Sequence, residues 1–296
     1  MTIYNQIDSN KRKTWIIFAV FILFITFLGF FVGNILGYGN GFIIFAVLSA
    51  SFTTLISYYF SDSIALSLSG AEKADPLKYL KLHHIVENLC IGAGIDKPQV
   101  YVINDSAINA FATGRDPKHA SIVFTSGVLT RLEDEEIEGI ASHEISHVRN
   151  FDTRLMVVVA ILVGSVTLLA DFLFRSFLFR GRSRDDNVNP LLVLVGFLLL
   201  LLSPLVATLI QLAISRNREY LADASGALLT RYPEGLARAL EKISQDRDPL
   251  KSANKATAHL YIANPLKNRK DTVSLFANLF NTHPPIEDRI RRLREM

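Results

Sequence analysis

The stretch that decides the reading is "ASHEISHVRN", residues 141–150. Two histidines, His143 and His147, stand four apart, with Glu144 directly after the first. On an α-helix, positions i and i+4 share a face, so both rings can present a nitrogen to one ion. Glu144 then sits about 100° around the helix, beside that ion and not on it. This arrangement binds zinc through two histidines and uses the glutamate as general base toward a metal-bound water. The competing reading is a polar turn of an ordinary helix. The surrounding "RLEDEEIEGIASHEISHV" predicts one continuous helix, with acidic residues crowded into its first turn where the helix dipole favours them.

A catalytic zinc needs a third protein ligand and an open position. The chain has one cysteine, Cys90, which excludes both a disulfide framework and a Cys-rich zinc site. Cys90 reads as a small core residue on the apolar face of a helix. The third ligand is therefore a later His, Asp or Glu. The segment "SRNREYLADASGA" offers Glu219 and Asp223, again at i and i+4. Glu219 could complete the zinc site while Asp223 accepts a hydrogen bond from the far nitrogen of a ligand histidine, which fixes the tautomer and makes the ligand more basic. Taken alone, the pair reads equally well as a solvated acidic face; beside His143 and His147 that reading loses.

The stretches "NAFATG", "SHEISHVRNFD" and "SRNREYLADASGA" resemble the HtpX-type membrane metalloproteases, relatives of the Oma-type and CAAX prenyl proteases. The resemblance covers nearly the whole chain, including four apolar segments, and "THPPIEDRIRRL" is similar to a further family element. It implies His143, His147 and Glu219 as ligands of one zinc ion per chain, Glu144 as catalytic base and Asp223 as the partner of a ligand. Ser142, before the first histidine, is a small departure that removes no catalytic group. Asn109, Ala110, Phe111 and Ala112, the "NAFA" stretch, resemble the edge strand beside the zinc in the wider glutamate-zincin group. Such an edge would hold substrate by backbone pairing and read few side chains. His283, in "NTHPPIED", could steady the oxyanion of the tetrahedral intermediate, or serve only in a helix-capping loop. His83, His84, His119 and His259 read as non-ligands.

Half of the 296 residues are hydrophobic and only 20% are charged, and the excess is concentrated in blocks. From Thr14 to Ser61 there is no Asp, Glu, Lys or Arg. That block is long enough for two spans of roughly 20 residues, about Trp15 to Val32 and Phe42 to Phe60, parted by "GNILGYGNG". Further apolar blocks, Leu155 to Ala170 and Asn187 to Ser215, predict one span each. The first block is too long for a cleaved leader and is followed at once by another, so it reads as an uncleaved anchor.

The expected architecture is α+β and predominantly helical, with four membrane helices and a cytoplasmic zincin-like protease domain containing a small sheet. Residues 1–60 form a membrane hairpin, 61–152 and 215–296 the protease domain, and 153–214 a second hairpin, spanning or partly inserted. His147 and Glu219 must meet at one ion, so the chain crosses the bilayer an even number of times between them. Lys11, Arg12 and Lys13 precede the first span and place the start, and with it the site, in the cytoplasm of a cell membrane. Arg175, Arg180, Arg182 and Arg184 in the 175–189 loop run against that tendency.

The function expected is zinc-dependent endopeptidase action on proteins or peptides, with the lipid bilayer as the other partner. Action on misfolded membrane proteins is what the resemblance implies. A net charge of +3 points to no nucleic-acid partner, and nothing in the sequence specifies an oligomeric state. The rival is a non-catalytic membrane scaffold or a metal transporter using the same His/Glu cluster. A transporter should carry ionisable groups inside its spans, and the first block has none. A peptidase for prenylated C-termini is a second alternative, for which the chain is short.

Overall fold

The computed structural model describes residues 3–36, 40–180, 216–252, 257–265 and 283–296. Its helices are α1 (Ile3–Leu36), α2 (Asn40–Tyr59), α3 (Ser61–Ser69), α4 (Leu80–Ala93), α5 (Ser126–Arg131), α6 (Asp134–Arg149), α7 (Asp152–Arg180), α8 (Arg216–Thr230), α9 (Pro233–Gln245) and α10 (Ile286–Arg294). The strands are β1 (Glu72–Lys73), β2 (Gln99–Ile103), β3 (Ala110–Gly114) and β4 (Ala120–Thr125). The chain is predominantly helical with one small mixed sheet, as expected.

The first apolar block forms α1 and α2. They contain two stretches long and apolar enough to cross a membrane, Ile7–Phe30 and Gly41–Tyr59. α1 starts well before the predicted Trp15, so the basic triplet Lys11–Lys13 is itself helical. A Cβ on Gly29 would lie 2.3 Å from the Cβ of Ala46, so the glycine is what lets the two helices touch. One face of α1, with Ile17, Phe18, Phe21 and Leu28, packs on Leu155, Val158, Leu162 and Val166 of α7. The opposite faces keep Trp15, Leu23, Phe27, Phe45 and Phe52 exposed, Leu23 by 70%. Outward faces of that composition suit lipid and not water.

Four membrane helices were expected, and the described residues support two. The third apolar block lies within α7, but its first turns, from Leu155 to Val166, are enclosed by protein. A run of Val and Leu reads the same whether protein or lipid surrounds it. The fourth block, 187–215, lies outside the described residues.

The sheet runs β1-β2-β4-β3, with β2 parallel to β4 and the outer pairs antiparallel. Alternation in "PQVYVIN" correctly predicts β2. The apolar run "ASIVFTSGVL" predicts an extended segment, and the chain is extended only to Thr125. There the Ser126 hydroxyl and the Gly127 N–H both donate to the Asp105 carbonyl at 2.9 Å, which turns the chain into α5. β1 escaped the sequence reading because two charged residues carry no periodicity.

α6 is the central element. A capping box joins Glu133 and Glu136 at its start, satisfying amide groups that a helix leaves open there. Ile122 and Phe124 of the sheet pack with Ile140 and Ile145 of α6, Val86 of α4, and Leu236 and Leu240 of α9 in one core. A helix buried on all sides carries its polar residues inward too: His143, Glu144 and His147 are all buried.

Candidate metal centre

The site is made where α8 crosses α6. A Cβ on Gly226 would fall 2.9 Å from the Ser142 Oγ and 3.1 Å from the His143 N, so the crossing is closed to larger residues. Ser142, the departure noted before the first histidine, is a small side chain at this contact and donates to the Gly139 carbonyl at 2.8 Å. The close approach brings Glu219 and Asp223, one turn apart on α8, against the histidine face of α6.

Three ligand atoms from His143, His147 and Glu219 lie within 4.8 Å of one another. The two Nε2 atoms are 3.1 Å apart. Glu219 places Oε1 3.5 Å from the His147 Nε2 and Oε2 3.9 Å from the His143 Nε2. Donors at the usual zinc distances on a tetrahedron would be separated by about 3.3 Å. The spacing fits.

Tautomers sharpen the test. The His143 Nδ1 is 2.9 Å from Asp223 Oδ1, and the His147 Nδ1 is 3.0 Å from Asp152 Oδ2. An ionised carboxylate only accepts, so each Nδ1 carries its proton and a ring, when neutral, turns a bare lone pair inward at Nε2. Two lone pairs and a carboxylate oxygen converging inside a protein repel unless a cation lies among them. A proton on one Nε2 meets part of that demand, and a divalent ion meets all of it. The donor set of two imidazoles and one carboxylate is one that holds catalytic zinc.

The surroundings polarise these groups. Burial pushes the His143 pKa down to about 4, against the pull of Asp223. For His147 burial acts the same way, but the Asp152 hydrogen bond and the Glu219 charge outweigh it and raise the group to about 9. Burial would raise Glu219, yet His283, His147 and Arg289 hold it well below the usual carboxylate range. Asp223, also opposed by burial, is held down to about 2 by Arg289 and His143. Burial lifts Glu144 to about 7. These directions come from the protein's own charges alone.

Two members of the site were not singled out from sequence. Arg289 of α10 is fully buried and grips Asp223 with two bonds, Nε to Oδ2 at 2.9 Å and Nη2 to Oδ1 at 2.7 Å, while Nη1 donates to the Ile262 carbonyl at 3.0 Å. It lies within "THPPIEDRIRRL", a stretch with four arginines counting the Arg294 that follows it, where nothing in the local sequence sets Arg289 apart. Asp152 stands five residues after His147 and was hidden by the turn between α6 and α7. A buried histidine needs a partner for its second nitrogen, and Asp152 closes the quoted stretch "SHEISHVRNFD"; these were the sequence signals for it.

The remaining expectations divide. β3 is the outer strand of the sheet, and the Ala112 backbone N–H faces the Glu144 carboxylate and favours its ionised form, so the strand does border the site. Its beginning is engaged within the chain. The Asn109 Nδ2 donates to the Ala263 carbonyl at 3.1 Å, the Ile262 N–H to the Ala110 carbonyl at 2.9 Å, and Phe111 bridges Tyr261. The His283 Nδ1 lies 2.7 Å from Glu219 Oε2, and its Nε2 is buried without a partner among the described residues. His83 reaches the Ala74 carbonyl, His84 is exposed and His119 pairs with Asp116, so none of these three joins the cluster. The His259 side chain lies outside the described residues. Cys90 is a buried free thiol.

Two histidines of an H-E-x-x-H helix converging with a carboxylate from a second helix make the kind of site that metallopeptidases use. The sequence model of peptidase family M48 matches residues 76–296, and the chain belongs to that family. Within it the chain is similar over its full length to proteins named Protease HtpX homolog. The one from Dictyoglomus thermophilum is 47% identical, covering 100% of this chain and 95% of its own. That from Caldanaerobacter subterraneus is 44% identical, covering 100% and 98%. A Streptococcus pneumoniae relative is 39% identical, covering 99% and 100%. Among solved structures, the S. mikatae Ste24p crystal structure superposes with a TM-score of 0.49 at 21% identity, covering 92% of this chain and 62% of that one.

Proposed function

We propose that the chain is a membrane-anchored zinc endopeptidase that cleaves proteins or peptides on the cytoplasmic side. The observation that carries this reading is the convergence of two histidines with fixed tautomers and one glutamate, with Glu144 alongside. His143, His147 and Glu219 would hold the metal, leaving a fourth position open. Zinc bound there supplies Lewis acidity, which activates water and polarises a carbonyl.

The chain's own groups do the rest. Glu144, raised by burial to about 7, has the basicity to take a proton from water near neutral pH and pass it to the leaving amine. His283 first positions Glu219 through its Nδ1. Its Nε2 donates to the developing oxyanion when the ring is an imidazolium, because the Nδ1 proton is committed to the carboxylate. A peptide lies along the outward edge of β3 from Ala112 to Gly114, beside Glu144. Pairing further back, to Ala110, requires the Ile262 segment to shift.

The domain division proposed with this activity is a membrane hairpin at 1–60 and a protease unit from 61–152 and 215–296, interrupted by the apolar segment 153–214. The Lys11 ammonium lies 4.6 Å from the centroid of the Phe151 ring, next to the end of α6. The basic triplet at the start of α1, ahead of the uncharged run that begins at Thr14, therefore sits beside the site, which supports a cytoplasmic orientation by the positive-inside tendency. A broad-specificity edge beside a membrane anchor suits misfolded membrane proteins as substrates.

The test is digestion of casein by the purified full-length protein, with chelator and then with zinc restored. Cleavage that stops with chelator and returns with zinc is expected. Cleavage indifferent to chelator, or none with zinc bound, would remove the metallopeptidase reading and favour a scaffold.

A further inference from the structure

The corner between α6 and α7 is under constraint. The chain leaves α6 at Asn150 and turns through Phe151 at a φ of 59°, a region that bulky residues enter only when their surroundings hold them there. This turn carries Asp152 back beneath His147, where Oδ2 meets the ring Nδ1 at 3.0 Å. The other carboxylate oxygen is held from a distant part of the chain. Asn10, on α1, donates its amide Nδ2 to Asp152 Oδ1 at 2.6 Å and to the Asn150 carbonyl at 3.0 Å.

Both hydrogens of that amide are thus spent on the two residues that flank Phe151. Asn10 is 1% exposed, and its neighbour Lys11 covers the Phe151 ring. The Arg218 Nη1 stands 3.6 Å from the same Asp152 oxygen and adds charge without a tight bond. An anchoring helix needs no buried amide at this position: packing against α7 is supplied by Ile17, Phe18 and Phe21 further along.

We infer that Asn10 is a positioning residue for the metal centre, holding Asp152 so that Asp152 orients His147. The first membrane helix then contributes to the site itself as well as to its attachment. This rests on the zinc reading above and goes beyond it, because the residue touches neither metal nor substrate.

Zinc affinity of the detergent-solubilised full-length protein, measured by competition with a chromophoric chelator, tests it. A Glu144→Gln background prevents self-digestion. Asn10→Ala should weaken zinc binding by about tenfold, the low end for outer supports of metal ligands. In an Asp152→Ala background the same change should cost nothing more, because its route passes through Asp152. Thr14→Val, which removes only a bond to the Asn10 carbonyl on the same buried face, should leave affinity at the parental value. Should Asn10→Ala fold poorly, the isosteric Asn10→Asp fills the same space but sets carboxylate against carboxylate, and should lose at least as much affinity. Parental affinity in Asn10→Ala or Asn10→Asp, a full additional loss on top of Asp152→Ala, or an equal loss in Thr14→Val overturns the inference. A parent that binds no zinc overturns the metal-centre reading and this inference together.

Discussion

The Nε2 atoms of His143 and His147 face each other at 3.1 Å, and neither ring can turn away. Asp223 holds one from behind and Asp152 the other. A pair of imidazoles so fixed is a preformed half of a metal site, needing only Glu219 from α8 to complete it. Holding the rings in place beforehand lowers what binding must spend on ordering them.

Separating chemistry from metal binding is the first expectation. Glu144→Gln keeps the size and buried position of the side chain but cannot accept a proton. Zinc content should stay near that of the parent while casein turnover falls by about 10²–10⁴-fold. Parental turnover in this variant would remove Glu144 from the mechanism.

Losing a metal ligand should look different. Glu219→Ala takes away the only carboxylate among the three converging groups, so bound zinc and proteolysis should fall together. Metal analysis of the purified variant checks it: full zinc with normal cleavage would move the third ligand elsewhere, to Asp223 or His283.

The two carboxylates behind the histidines should differ in what their loss does to the fold. Asp223→Ala and Asp152→Ala should each weaken zinc binding by about 10–100-fold. Asp223→Ala also takes from the fully buried Arg289 both of its close carboxylate bonds and leaves it Glu219 at 3.8 Å, whereas Asp152 has only a looser contact with Arg218 at 3.6 Å. Breaking a close buried charge pair costs about 3–5 kcal/mol at most, so this variant should melt below Asp152→Ala, and adding Arg289→Leu should recover part of the difference. Equal melting temperatures for the two single variants would contradict the assignment.

Gly226 should be intolerant for a reason distinct from helix propensity. Its added Cβ would press on the Ser142 Oγ and the His143 backbone, and overpacking of this kind costs about 1–3 kcal/mol. Gly226→Ala should lower both stability and zinc affinity. Ser142→Ala should restore some of each, since the Oγ is the nearest obstacle. Circular dichroism melts and chelator competition would reveal it if the second change brought no recovery.

Cys90 supplies the pH expectation. Burial pushes its thiol up to about 11, so at pH 8 roughly 0.1% is thiolate, against about a quarter for a free thiol. As the only cysteine, it gives a clean readout: iodoacetamide should label the folded protein slowly, about tenfold faster per pH unit from 8 to 10, and quickly after unfolding. The folded pKa lies above the unfolded one, so the buried thiol's contribution is present below about pH 8.5 and fades as pH climbs toward 11. Labelling at pH 8 as fast as in denaturant would show the thiol to be open.

Much of the site was legible because helical spacing is local information. His143 with His147, and Glu219 with Asp223, are each one turn apart, so their faces follow from the sequence alone. The first apolar block was legible because an uncharged run that long has few other homes. Leu155 to Val166 was not, since an apolar stretch does not say whether protein or lipid will cover it, and here protein does. The engaged state of Asn109 to Phe111 was equally hidden. Edge strands are defined by what lies beside them, and Tyr261 and Ile262 arrive there from far along the chain.

The sequence by itself determined which residues share a helix face, which runs are too apolar for water, and that any metal here is held by His and a carboxylate. Tertiary structure decided the partners. Asp152 reaches His147 only because the chain turns through Phe151, and Arg289 reaches Asp223 only because α10 packs beside α8. Asn10 reaches Asp152 only because α1 lies along α7. Each is an ordinary polar residue in the linear sequence, since its role depends on a neighbour brought close by burial of other residues, and a buried ring nitrogen or charge takes whichever partner the packing delivers.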